Sequence, residues 1–152
     1  MFRTADAFAI EGIALCGIST PPPSAEIHKT ALGAENSVAW KYFDTTMDAL
    51  EYLASRGYTL CCLEQVMESV PLQKFMPDGI RKYALVVGHE VEGVAPEVVN
   101  RCDVAIEIPQ CGTKHSMNVA VSAGVAMWHF FSAAGSGLIA ATTQRLDAEN
   151  RN

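Results

Sequence analysis

Apolar residues fall in short runs separated by amphipathic stretches. Runs rich in Val, Ile, Leu, Tyr and Cys occupy residues 12–16, 38–42, 59–63, 83–87 and 104–108. Most lack the strict alternation of a half-solvated strand, so they read as buried strands. Residues 45–56 instead have helical spacing, with Met47, Leu50 and Leu53 on one face and Gly57 where a helix stops. Shorter helices are expected at about 26–35 and from Pro96 to near Arg101. The last and most apolar helix is expected from Ser116, as its N-cap, to about Phe131. Thr20-Pro21-Pro22-Pro23-Ser24 has too few backbone donors for regular structure, and Met76-Pro77-Asp78-Gly79 carries turn chemistry. Strands alternating with helices predict an α/β fold: a mostly parallel sheet with helices on both faces.

Composition agrees with a single packed domain over residues 1–144, followed by a polar, frayed tail at 145–152. The chain has 152 residues, 49% of them hydrophobic. A chain of that length buries roughly 68–70% of its extended surface, enough for a core without disulfides or structural metal. The five cysteines form an odd set with no C-x-x-C pair, which fits reduced thiols and no metal site. The first residues carry an early acid and lack the basic-then-apolar pattern of an export signal, so a cytoplasmic protein is expected. Residues 119–144 contain no Asp, Glu, Lys or Arg and are long enough to span a bilayer. Ser122, His129, Ser132, Ser136, Thr142, Thr143 and the breaker Gly135-Ser136-Gly137 argue for a buried helix and a loose end, with no membrane partner.

In an open α/β sheet, ligands sit beyond the carboxyl ends of the strands, so the loops after each strand are where chemistry is sought. Two stand out: Leu85-Val86-Val87-Gly88-His89-Glu90-Val91-Glu92-Gly93-Val94, and the stretch from Ile106 to Val119. Gly88 and Gly93 have the spacing of a phosphate loop, but Val94 and Ala95 stand where lysine and a hydroxyl residue would bind phosphate and magnesium. That excludes a P-loop nucleotidase. No G-x-G-x-x-G is present, and on the plainest reading the glycines only permit a turn. Ser116 beside His115 is no hydrolase dyad, because no G-x-S-x-G elbow exists and adjacent side chains rarely face each other. Ser116 as a cap and Asn118 as surface are the bland readings. Against them, both open an apolar helix at the mouth of the sheet, where unpaired N–H groups attract an anionic group.

Three segments together carry a resemblance. Phe2-Arg3-Thr4-Ala5-Asp6-Ala7-Phe8, the strand and loop from Leu85 to Val94, and Ile106-Glu107-Ile108-Pro109-Gln110 with Ser116-Met117-Asn118-Val119 resemble, in order and spacing, the three motifs of the SpoU/TrmH group of SPOUT RNA 2′-O-ribose methyltransferases. Lys29-Thr30-Ala31-Leu32-Gly33-Ala34-Glu35 and Trp40-Lys41-Tyr42-Phe43 also resemble this group between its first and second motifs. The resemblance implies a C-terminal deep trefoil knot, an exception to the rule of unknotted chains. It implies a homodimer with the active site at the subunit boundary. S-adenosylmethionine would be held by the loops at Val87, Gly88, Glu90 and Gly93, at Ile108, Pro109 and Gln110, and at Ser116 and Met117. The catalytic positions fall on Arg3, Glu90, Ser116 and Asn118.

Two departures accompany it. His89 stands where asparagine is most common, and the family has a strand and an asparagine ahead of the arginine, whereas this chain begins at Met1. Lack of that strand would leave Arg3 on a free end where ordering is poor; either the start is placed too far downstream or this copy is impaired, and the first is the expectation. A guanidinium pKa above about 12 makes Arg3 a poor base. The favoured role is a fork onto the phosphate next to the target ribose. Candidate RNA contacts are Arg3, Lys29, Lys41, Lys114 and His115. With 11 basic against 17 acidic residues, the net charge of −6 argues against a strong general grip on nucleic acid. The expected activity is 2′-O-methylation of structured RNA, with tRNA favoured over rRNA. The alternatives are a knotted dimeric module that binds cofactor or RNA without catalysis, and a small doubly wound domain for some other anion.

Overall fold

The computed structural model describes residues 1–89, 92–113 and 116–133. The chain runs α1 (Phe2–Ala7), β1 (Gly12–Cys16), α2 (Ala25–Ala31), a 3₁₀ turn (Ala34–Asn36), β2 (Ala39–Phe43), α3 (Thr46–Ser55) and β3 (Tyr58–Leu63). It continues with β4 (Val70–Pro71), a second 3₁₀ turn (Leu72–Lys74), β5 (Lys82–Val87), α4 (Pro96–Arg101), β6 (Val104–Glu107) and α5 (Val119–Ala133). Every strand pairing is parallel. The five expected strands stand within a residue of their predicted bounds, and α3 is capped as its sequence demands, with the Thr45 hydroxyl accepting the Asp48 N–H at 3.1 Å.

The strands form two sheets rather than one: β1 with β2, and four strands in the order β4-β6-β3-β5. Alternation along β3 shows how the larger sheet is covered. Leu60 and Cys62 point toward Leu50 of α3 and Val98 of α4, while Cys61 points toward Ala126 and Phe130 of α5. Helices therefore cover both faces. The smaller sheet joins through apolar packing, with Ile13 and Leu15 sharing a cluster with Leu85 and Val87 of β5. Burial pushes the Cys61 thiol up to about 12, so it behaves as a small core hydrophobe.

Several expectations are corrected. Arg3 is not on a loose end: α1 is a formed helix whose Phe2 and Ala5 are buried against Ala123 and Met127 of α5. Phe8 extends that contact, its ring 5.8 Å from Trp128 and 5.7 Å from Phe131. Two buried side chains three residues apart hold one face of a short helix down, even at a terminus. The helix expected at 26–35 stops at Ala31, because Leu32 and Gly33 turn left-handed, at φ 52° and 93°. The last helix starts at Val119, not Ser116. Its cap is Asn118, whose Oδ1 accepts N–H bonds from Ala120 at 2.9 Å and Val121 at 3.3 Å. The expected tail at 145–152 lies outside the described residues.

Candidate active site

Strands β3, β5 and β6 end side by side, and the loops leaving them enclose a cavity of about 280 Å³. Leu63 ends β3 and Glu64 and Gln65 follow it, Val87 ends β5 and Gly88, His89, Glu92 and Gly93 follow it, and Glu107 ends β6 and Ile108 and Gln110 follow it. Ser116, Met117, Val119 and Ser122 close it from the start of α5. The position is the one where α/β sheets bind ligands.

The wall after β5 is drawn tight by its backbone. His89 and Gly93 exchange both N–H to carbonyl bonds, at 3.0 and 2.9 Å. A Cβ on Gly88 would collide with the backbone of Gly93 and Val94. Gly93 has φ +70°, and a Cβ there would meet the Glu64 carboxylate at 2.5 Å. Both glycines are therefore sterically required. Glu64 is the strut on the other side, its Oε2 accepting the Val94 N–H at 2.7 Å. Glu107 is held by the Ser69 hydroxyl, which donates to Oε2 at 2.9 Å.

The cavity brings together most of the residues expected to hold the cofactor: Val87, Gly88, Gly93, Ile108, Gln110, Ser116 and Met117. Pro109 adjoins it in sequence, exposed between two lining residues. Asn118 sits one residue beyond Met117 as the helix cap. Glu90, Lys114 and His115 lie outside the described residues. Arg3 is exposed on α1 and does not line its own chain's cavity. Lys29 is exposed on α2, whereas Lys41 is engaged elsewhere, its Nζ 4.0 Å from the Tyr52 ring centroid.

Sequence reasoning missed Glu64, Gln65, Glu92, Glu107 and Ser122 as lining residues. Glu64 had a usable signal, an acid directly after an apolar strand, which is the same pattern that singled out the loop after β5. Together these residues set the electrostatics. Among the described residues, three glutamates and no lysine or arginine line the cavity. Such a lining repels phosphates and suits a cation. Leu63, Val87, Ile108, Met117 and Val119 add apolar surface for a flat ring. A donor carrying both a sulfonium and an ammonium, with an adenine ring, matches this set of groups.

A parallel α/β sheet covered on both faces, with a glycine-pinned acidic pocket at its strand ends, defines the class of protein. The chain belongs to the SpoU rRNA Methylase family, whose sequence profile matches residues 1–128. It is 30% identical over 144 residues, 90% of this chain and 53% of the relative, to the 23S rRNA (guanosine-2′-O-)-methyltransferase RlmB of Nitrosomonas europaea. It is 31% identical over 96 residues, 63% of this chain and 44% of the relative, to the tRNA (guanosine(18)-2′-O)-methyltransferase of Aquifex aeolicus. Among solved structures, the AdoMet-bound rRNA methyltransferase from Sinorhizobium meliloti matches with a TM-score of 0.77 at 25% identity, over 85% of this chain and 48% of that one. The chain spans about half the length of these relatives.

Proposed function

We propose that this chain binds S-adenosylmethionine in the strand-end cavity and methylates a ribose 2′-oxygen in structured RNA, with tRNA the favoured class. The observation that carries the reading is the convergence on one cation-suited pocket of the second and third sequence segments, with the first segment anchored on α5 beside it. The guanosine in the relatives' names supports a guanosine target.

When bound, the cofactor supplies an electrophilic methyl group on sulfur. Glu64, Glu92 and Glu107 offset its positive charge, and the apolar wall thins the water around the reacting atoms. Methylation of a ribose hydroxyl would require its proton to leave toward the neighbouring phosphate or solvent. Arg3 forks onto that phosphate, and its field stabilises the oxygen as the proton departs. Asn118 spends its Oδ1 on the helix cap, which leaves its Nδ2 donors for the substrate. Ser116, exposed at the rim, positions the same group.

Arg3 reaches a pocket in a homodimer, supplied by one protomer to its partner. Val121, Val125 and Trp128 form an apolar stripe on α5, 54%, 40% and 53% exposed, whose burial would favour a two-fold pairing. That helix also carries Val119 and Ser122 of the cavity and packs on α1, so one contact would serve both site and clamp. The C-terminal knot belongs to the same reading.

Calorimetry with S-adenosylmethionine, alongside methyl transfer to bulk RNA, tests the proposal. Binding with transfer is expected. Arg3→Ala should lower turnover by roughly two to three orders of magnitude while cofactor affinity holds within about twofold. Binding without transfer in the unaltered chain would support the non-catalytic module, and no binding would remove the cofactor reading altogether.

A further inference from the structure

A second cavity, about 640 Å³, lies on the α1 side of the molecule and shares no lining residue with the first. Pro22, Pro23, His28, Glu35, Asn36 and Trp40 bound it. The 3₁₀ turn Ala34–Asn36 that contributes Glu35 packs against α1, and the next residue, Ser37, donates its hydroxyl to Asp6 of α1 at 2.7 Å. The cavity therefore neighbours the helix that presents Arg3.

Its chemistry centres on Glu35. That side chain is only 8% exposed, and its Oε1 accepts a hydrogen bond from His28 Nδ1–H at 2.7 Å. Its other oxygen, Oε2, is buried with no hydrogen-bond partner. A buried carboxylate oxygen without a donor is costly, so a native structure that keeps one calls for a reason. Glu35's own backbone amide and then the His28 imidazole hold the carboxyl below its usual range, so it stays an acceptor. His28, which donates to Oε1, is itself 78% exposed. Trp40, 38% exposed, offers an indole, and Pro22 and Pro23 offer apolar rings.

We infer that this cavity receives an unpaired guanine of the RNA, stacked on Trp40, with the Glu35 carboxylate accepting its N1–H and N2–H. The inference rests on the RNA reading above and adds the base and the residue that reads it. A carboxylate has two acceptor oxygens side by side, and guanine's Watson–Crick edge presents two adjacent donors. Adenine presents one donor beside an acceptor there, which would face Glu35 with like partial charge. Aromatic stacking of splayed bases is the usual mode by which proteins take single-stranded RNA. Such an edge would bring one donor to each carboxylate oxygen.

The test uses the pentanucleotides UUGUU, UUIUU and UUAUU, titrated without cofactor and followed by Trp40 fluorescence in a Trp128→Phe background. The expected order is guanine, then inosine, then adenine, each step about tenfold, the size of one hydrogen bond to a charged group. Glu35→Gln, which keeps the volume and an acceptor for His28, should abolish the guanine preference or turn it toward adenine, since an amide offers one acceptor beside one donor. Should that variant unfold, His28→Ala decides instead: uncovering the carboxylate should leave guanine bound at least as tightly with its preference intact. Equal affinities for all three oligonucleotides, or a guanine preference that survives Glu35→Gln, would overturn the inference. Because no methyl transfer is scored, a chain that fails as a methyltransferase can still pass, and the reverse.

Discussion

The two cavities are made of different materials. The strand-end cavity is shaped by backbone: a glycine that tolerates no Cβ, a reciprocal pair of backbone hydrogen bonds between His89 and Gly93, and loops leaving three parallel strands. The cavity beside α1 is shaped by side chains on a short helix, a 3₁₀ turn and a strand start, around one buried carboxylate. Backbone geometry leaves ordered glycines in a sequence. A side-chain cavity leaves only scattered residues whose proximity depends on the fold. The first kind is rigid by construction and suited to holding a cofactor. The second turns on one exposed imidazole bonded to one buried carboxylate, and on the inference above it would take a base that comes and goes.

If backbone shape carries the first cavity, Gly88→Ala is the sharpest way to break it. The added Cβ would strike the backbone of Gly93 and Val94, so affinity for S-adenosylmethionine should fall by about a hundredfold or more, some 2.7 kcal/mol, by calorimetry. Pyrimidine pentanucleotides carrying one guanine should still quench Trp40 in the Gly88→Ala, Trp128→Phe chain, because the cavities share no lining residue. A smaller effect is expected where the pocket meets α5. Asn118→Ala removes two capping bonds and should cost about 1 kcal/mol in denaturant unfolding, whereas Ser116→Ala should stay within about 0.5 kcal/mol.

The smallest effect concerns neither cavity and calibrates both. Arg101 Nε and Nη2 donate to the two oxygens of Glu51 at 2.6 and 3.2 Å, and this fork holds the Glu51 carboxyl below its ordinary value. A depressed folded pKa adds stability that is present above the unfolded value of about 4.3 and lost as pH falls through the folded value. Thermal melts should show the unaltered chain exceeding Glu51→Gln slightly at pH 6, with the gap closing in acid and in high salt.

What could be read from sequence divides along the same line. The five strands were legible because buried parallel strands are continuous apolar runs, and α3 because Thr45 and Gly57 punctuate it. The strand-end cavity was legible because Gly88, Gly93 and Ser116 fall in loops that parallel topology must bring together. The anchoring of α1 was not, since Phe2 and Ala5 have no local pattern and find their partners on α5, some 120 residues away. The start of α5 was misplaced because Ser116 and Asn118 are both good caps, and only the backbone direction decides between them. Glu35 sat in a segment noted for its resemblance, but nothing local marks a glutamate that will be buried with one oxygen unpaired.

On the proposed function, one protomer's Arg3 serves the other's glycine-pinned pocket. A purified heterodimer of an Arg3→Ala chain and a Gly88→Ala chain, each inactive alone, tests it through methyl transfer to RNA. If the guanidinium crosses the subunit boundary, one of the two sites is intact and the heterodimer should show about half the activity of the unaltered dimer. A heterodimer as inactive as either parent would contradict the account.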